Sequence, residues 1–356
     1  FAVMSSASNF TLFNGKHGFL EAQIRSRRDT MVSESDYITL TQCQNIQDMI
    51  MNMSTSDYSK AVAGMEEPTP SALAERMTQQ LVREFENVRE SAEEPLCTFL
   101  DYMTHGYIID NVVLLLLGTL HGRDTEALLQ RCHPLGMVEG LSSVQAAQNV
   151  DDLYHSVIEE TPIRQYFPQL SEGEASRYFS ETDIELLRNR LYKSYLEHFL
   201  DYCLSLKGAT RRAMGKILKF EADRRSISIA LNSLGTDISS EEKASVLPHL
   251  GFLYPGFHEE LVEAKDFDAV RGACDVFEDY SAVFSAVVAD QSRSIEDEFN
   301  RREVELCREC WIEQHNFGLY WAWLKLREQE IRNLVWIGEC IQQKRHNMAR
   351  SFVSIW

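Results

Sequence analysis

One stretch limits what this chain can fold into more than any other: Tyr107 to Arg123, YIIDNVVLLLLGTLHGR. Its apolar run extends from Val112 to Leu117, with Leu120 one turn further on. Spanning a bilayer takes about 20 apolar residues, and Asp110, Asn111, His121 and Arg123 flank this run closely. The run therefore reads as a helix apolar on nearly all sides, one that other helices must enclose. A buried parallel strand would also accept Val-Val-Leu-Leu. Helical spacing in LCTFLDYMTHGYIID ahead of it, and Gly122 behind it to close the end, favour the helix.

Two later stretches have the same plan, Lys219 to Thr236 (KFEADRRSISIALNSLGT) and Leu326 to Arg345 (LREQEIRNLVWIGECIQQKR). Each sets a polar cluster ahead of an apolar run: Asp110 and Asn111, then Asp223 to Arg225, then Arg332 and Asn333. Buried charge is costly unless paired, so these clusters are expected to line a wet cavity or to pair with one another. Solvated helix faces would give the same pattern.

The remaining helices follow from periodicity and punctuation. Residues 1–15 carry no periodic pattern and read as an irregular lead-in. Ser33 to Asp36 caps a helix carrying Tyr37, Leu40 and Cys43. Ser71 opens a long helix with Leu73, Met77, Leu81, Phe85 and Val88 on one face, and Pro95 suits the first turn of the next. Ser180-Glu-Thr-Asp183 resembles a capping box ahead of IELLRNRLYKSYLEHFLDYCLSL. Near the C-terminal end, Phe317, Tyr320, Trp321, Leu324, Ile331, Leu334, Val335 and Ile341 recur at helical spacing, as an ordinary core stripe does. The strand candidate VFSAVV (283–288) sits in helical surroundings. The fold class is all-α.

Short internal matches divide the chain. Gln44-Asn-Ile-Gln-Asp-Met49 recurs as Gln148-Asn-Val-Asp-Asp-Leu153, and more weakly as Lys265-Asp-Phe-Asp-Ala-Val270. His133-Pro-Leu-Gly136 is echoed by Pro248-His-Leu-Gly251, and Phe99-Leu-Asp-Tyr102 recurs at 199–202. Together they predict three related helical units, 1–136, 137–251 and 252–356, each within ordinary domain size.

Charge and chemistry exclude several functions. Lys plus Arg number 35 against 54 Asp plus Glu, a net charge of −19, which argues against a general nucleic-acid binder. Lys207, Arg211, Arg212, Lys216, Lys219, Arg224 and Arg225 make a local basic cluster, either an anionic docking surface or two solvated faces. Eight scattered cysteines form no disulfide framework, and Cys307-x-x-Cys310 lacks the partners that zinc or a redox fold would need. Two Asn-x-Ser/Thr sites, at Asn9 and Asn52, carry little weight in a free-thiol chain that reads as cytosolic. Gly215-Lys216-Ile217 has neither the upstream glycine nor the following hydroxyl of a phosphate-binding loop. No HExxH, GxSxG or paired Glu-x-x-His is present. The residues thus predict a non-enzyme with no cofactor and no metal.

Several runs carry a resemblance: FNGKHGFLEA, SDYITLTQC, IIDNVVLLLLGTLHGR, CHPLG, LLRNRLYKSYLEHF, FEADRRSISIALNSLGT, VLPHLGFLYP and QHNFGLYWAWLKLREQEIRNLVWIGECIQQ. In order and over nearly the whole chain, they resemble the subunit d family of vacuolar-type proton-pumping ATPases, relatives of the C subunits of archaeal and bacterial rotary ATPases. The match departs in the irregular first residues and at QYFPQLSEGEASRYF (165–179). The resemblance implies a non-catalytic Vo subunit of three similar helical domains in a pseudo-threefold funnel, seated on the proteolipid c-ring and receiving the rotor shaft. Implied partners are the V1 central stalk subunits D and F, with the Vo a subunit nearby. The implied location is the cytosolic face of vacuolar, endosomal or other acidic-organelle membranes, or of the plasma membrane. Asp110, Glu221, Arg224, Arg225, Glu328 and Arg332 are the candidate funnel-lining residues. A free-standing α-helical scaffold or adaptor is the alternative reading of the same helices.

Overall fold

The structure is a computed structural model that describes residues 2–54, 56–138, 141, 149–156, 158–171, 173–181, 183–206, 208–290, 293–345 and 351–356. Gln148 of the second repeat and Lys207 of the basic cluster lie outside the described residues. Among the described residues there are helices and turns and no strand, so the all-α expectation holds. Seven helices are long: α1 Ala2–Ser26, α2 Pro70–Glu90, α3 Leu96–Leu120, α4 Ile184–Ser205, α5 Ala209–Asn232, α6 Ile295–Ile312 and α7 Gly318–Gln342.

The chain forms two compact units, each discontinuous in sequence. Unit 1 comprises Phe1–Thr98, Gly208–Ala213 and Val283–Trp356, and unit 2 comprises Phe99–Lys207 and Met214–Ala282. This is a division by compactness, whereas the units 1–136, 137–251 and 252–356 are expected from the sequence matches alone. The repeats themselves share a local design. Each opens a short helix with an Asx side chain that accepts a backbone N–H three residues on. Asn45 takes that of Asp48 at 2.8 Å, Asn149 that of Asp152 at 2.9 Å, and Asp266 that of Ala269 at 2.8 Å. Met49, Leu153 and Val270 then bury the matching apolar position.

Unit 1 is built on α7, which packs against α6 and α2. The Trp323 ring stacks on Phe85 of α2 at 6.5 Å, nearly coplanar. α1 overturns the irregular lead-in over 1–15. That segment has no Pro or Gly before Gly15, so nothing in it breaks a helix that runs on into the periodic residues from Gly18, although periodicity within 1–15 does not reveal it. Thr69 caps α2, whose first residue is Pro70, one residue ahead of the expected Ser71. The Ser33–Asp36 capping box is present, and its helix ends at Leu40, before Cys43. Cys307 and Cys310 are buried in α6, and all eight cysteines are free thiols.

Unit 2 holds most of α3. At 25 residues α3 is long and apolar enough to cross a membrane by length and composition, because the lead-in extends the short run counted from Val112. None of its residues is exposed. Gly122 closes it as expected: Gly122 N–H donates to Thr119 O at 3.0 Å and Arg123 N–H to Gly118 O at 2.9 Å, the paired bonds of a Schellman end. The Phe-Leu-Asp-Tyr match is also explained. The two copies lie against each other, Phe99 on Phe199 at 5.5 Å and Tyr102 on Tyr202 at 5.0 Å, so it is a contact between α3 and α4. Asp183 caps α4 directly, accepting the N–H groups of Glu185 and Leu186, while Thr182 of the expected capping box lies outside the described residues. Residues 283–288 are helical.

Candidate functional site

The polar cluster of each of these three helices includes one buried side chain, and that side chain holds the backbone of a later segment. On α3, Asn111 donates to His133 O at 2.9 Å and accepts from His133 N–H at 2.7 Å. On α5, the Asp223 carboxylate accepts from Phe252 N–H at 2.6 Å and Leu253 N–H at 3.2 Å, and from the Tyr280 hydroxyl at 2.7 Å. On α7, Asn333 donates to Val353 O at 2.7 Å and accepts from Val353 N–H at 3.2 Å. All three side chains are buried, so the bonds satisfy both partners where water is absent.

This arrangement explains the His-Pro-Leu-Gly and Pro-His-Leu-Gly echo. At Gly136 a Cβ would come within 2.5 Å of the Tyr107 backbone and 2.6 Å of Asn111 Nδ2. At Gly251, where φ is +122°, a Cβ would collide with the Asp223 carboxylate. Both glycines let a loop approach a helix closely enough for its clamp to reach main chain. The sequence leads one to expect that the polar clusters line a cavity or pair with one another. Their inward members do neither and bind their own loops.

The six candidate residues are the outward neighbours of these clamps. In unit 2, Arg188 donates to Asp110 Oδ1 from Nε at 3.1 Å and from Nη2 at 2.9 Å. The Arg225 guanidinium lies 3.3 Å from the Tyr192 ring centre, with Arg188 at 5.9 Å from the same ring. Glu221 pairs with Arg225 at 3.2 Å and with Arg224 at 3.9 Å. Tyr192 donates to Gly106 O at 3.1 Å, and burial raises its hydroxyl pKa. Asp110, Glu221, Arg224 and Arg225 thus form one half-buried cluster about a tyrosine. In unit 1, Glu328 pairs with Lys325 at 3.0 Å, while Arg332 is exposed. Elsewhere in the basic cluster, Arg212 pairs with Glu313 at 2.6 Å and Lys219 lies 5.6 Å from the Phe252 ring.

A second polar network escapes the sequence reading. Arg327 is 1 % and Glu330 0 % exposed, and they pair at 2.8 Å inside unit 1. Glu330 also accepts from Val32 N–H at 2.6 Å and from the Tyr58 hydroxyl at 2.8 Å. Arg327 lies 4.4 Å from the Tyr58 ring, with Asp57 at 3.8 Å and Glu84 at 3.9 Å. Burial pushes the Glu330 carboxyl up, against the pull of Arg327. The signal is there to be read: Trp323, Arg327, Glu330, Leu334, Ile337 and Ile341 recur at three-and-four spacing, so both charges fall on the core stripe of α7. The candidate Glu328 stands one residue from Arg327 and off that stripe.

Among the described residues no group of three or more His, Cys, Asp or Glu could hold a metal ion. The family model of the ATP synthase (C/AC39) subunit matches residues 20–352. The chain belongs to that family. Within the C/AC39 family it is 44 % identical to the V-type proton ATPase subunit d of Dictyostelium discoideum, over 97 % of this chain and 96 % of that one. It is 37 % identical to the V-type proton ATPase subunit d of Saccharomyces cerevisiae, over 97 % and 99 % of the two chains. The C subunit of the A-type ATP synthase of Desulfurococcus is a more distant member, 19 % identical over 82 % of this chain and 75 % of that one.

Proposed function

We propose that the chain is the non-catalytic central-rotor adapter of a V-type proton-pumping ATPase, coupling the V1 rotor shaft to the membrane proteolipid ring. The observation that carries this reading is the end-to-end match to proteins named as subunit d of that pump. The geometry supports it. An adapter that transmits torque needs helices that do not slide, and α3, α5 and α7 are each tied to a later segment by a buried side chain. The repeated Asx-capped helices support three related units, 1–136, 137–251 and 252–356, which in this reading are arranged as a pseudo-threefold funnel.

In this reading Asp110, Glu221, Arg224, Arg225, Glu328 and Arg332 line the funnel and meet the shaft. The D and F subunits of V1 are its stalk partners, with the Vo a subunit beside the c-ring, on the cytosolic face of an acidic organelle. Tyr192 holds Arg188 and Arg225 in fixed directions, which lowers the ordering cost of binding. The test is to deplete the chain from cells and follow ATP-driven acidification of isolated organelles, with recovery of tagged chain for partner identification. Acidification should fail and return with the wild-type chain, which should be recovered with ring and stalk proteins. Intact acidification without the chain, or its recovery alone or with unrelated proteins, overturns the reading.

A further inference from the structure

Of the three clamps, those at Asn111 and Asn333 are amides and that at Asp223 is an acid. We propose that Asp223 is a proton-operated latch on the loop that displays Phe252 and Tyr254: as a carboxylate it holds the loop, and as an acid it releases one of the loop's backbone bonds. This does not depend on the assignment to a pump.

Three donors converge on the carboxylate. Phe252 N–H and the Tyr280 hydroxyl reach Oδ2, and Leu253 N–H reaches Oδ1. An ionised carboxylate can accept them all, since it offers lone pairs and no proton. An acid must donate its own proton. Of the three partners only the Tyr280 oxygen can accept one, so protonation at Oδ2 reverses the Tyr280 bond. It also leaves Phe252 N–H facing an oxygen that now carries hydrogen. The loop would then remain tied at Leu253 and loosen at Phe252.

The surroundings decide whether a proton can arrive. From its own helix Lys219 favours the charged form. From the Phe267–Cys274 helix comes the Cys274 thiol, kept neutral by burial that pushes it up to about 12, with Asp275 beside it. From the Glu278–Ala289 helix comes Tyr280, also held neutral by burial, with Asp279 near it. The loop contributes backbone only at this point. His249 faces Lys193 at 3.1 Å and Glu197 at 3.8 Å, and His258 lies against the Tyr254 ring at 5.0 Å. Burial outweighs the hydrogen bonds and pushes the carboxyl up to about 6. A carboxyl raised in the native state binds its proton there more readily than in the unfolded chain. The chain therefore gains stability from this group as pH falls through that window, and the loop is freed without unfolding. Phe252 and Tyr254 are 41 % and 39 % exposed, so the freed segment is one that already presents aromatic rings to the outside.

Amide hydrogen exchange on the full chain tests the latch, each rate being divided by that of an unstructured peptide at the same pH. From about pH 7.5 to about pH 5, protection of the Phe252 amide should fall roughly tenfold or more, while that of Ile227, within α5, stays constant. In Asp223→Asn the Phe252 amide should show no pH dependence. Constant protection in the wild-type chain overturns the proposal, as does a fall that persists in Asp223→Asn. If that variant does not fold, Tyr280→Phe serves. It removes one donor to the carboxylate, so the midpoint must move to higher pH, and an unmoved midpoint overturns the latch.

Discussion

In unit 1 a buried guanidinium, Arg327, is neutralised by carboxylates, chiefly Glu330 at 2.8 Å. In unit 2 a buried carboxylate, Asp223, is held by two backbone N–H groups and a hydroxyl, with Lys219 the charge that favours its ionised form. The contrast separates two uses of polar residues in a helical core. A charge matched by charge is costly to break from either side and fixes the packing of helices. A charge matched by main-chain dipoles fixes the position of a loop and stays open to titration. A third case is the half-buried arginine cluster around Tyr192, which has paired charges and an open side.

The largest expected effect follows from the first case. Arg327→Met should destabilise the chain by about 3–5 kcal/mol, because it leaves Glu330 buried without its partner. Arg327→Met combined with Glu330→Gln should recover part of that loss, because the amide removes the unpaired charge and keeps an oxygen to accept from Val32 N–H or the Tyr58 hydroxyl. Urea unfolding of the three proteins checks it, and a single-variant cost below about 1 kcal/mol would erase the distinction between the units.

An intermediate effect sharpens the comparison within unit 2. His105 is buried against the Tyr166 hydroxyl at 2.9 Å, and burial lowers its pKa to about 4. A histidine depressed in the native state binds its proton in the unfolded chain first, so stability is lost as pH falls below the ordinary histidine value. The loss should reach about 2 kcal/mol at about pH 5, opposite in sign to the contribution of Asp223. Unfolding free energies of wild type and His105→Gln at both ends of this range check it, and parallel curves would refute it.

The smallest stability effect belongs to the outward residues. Arg332→Glu should change stability by no more than about 0.5 kcal/mol, and Arg224→Glu by about 1 kcal/mol through loss of the Glu221 pair. If these residues meet a partner, both should nevertheless abolish ATP-driven acidification. Unchanged melting with unchanged acidification makes them solvated surface, and a large fall in melting temperature makes them structural.

Much of the fold is legible in the residues alone. The Val112–Leu117 run does mark a helix none of whose residues is exposed, and the polar residues ahead of it do mark something other than core. What periodicity does not reveal is how adjacent polar residues divide their roles. Successive residues on a helix point about 100° apart, so Asp110 turns outward to Arg188 while Asn111 turns inward to His133. The sequence shows a pair; only the fold shows which member clamps. Arg327 and Glu330 escape because charged residues read as breaks in the α7 stripe when they are members of it. The Phe-Leu-Asp-Tyr match is visible as a recurrence, but that its copies touch requires the packing of α3 on α4.

The three clamps grip main-chain atoms of their partner loops or tail, and Asp223 holds the Tyr280 hydroxyl as well. A side chain that anchors another side chain ties two positions together, and a change at one demands a change at the other. A side chain that anchors a peptide group leaves the identity of the anchored residue free. His133, Phe252, Leu253 and Val353 are therefore held in place whatever side chain they carry, proline excepted because the clamps need their N–H groups. The two loops at Gly136 and Gly251 can each be rewritten for a different neighbour while the glycine and the clamp stay as they are. Their surface chemistry can diverge faster than their position.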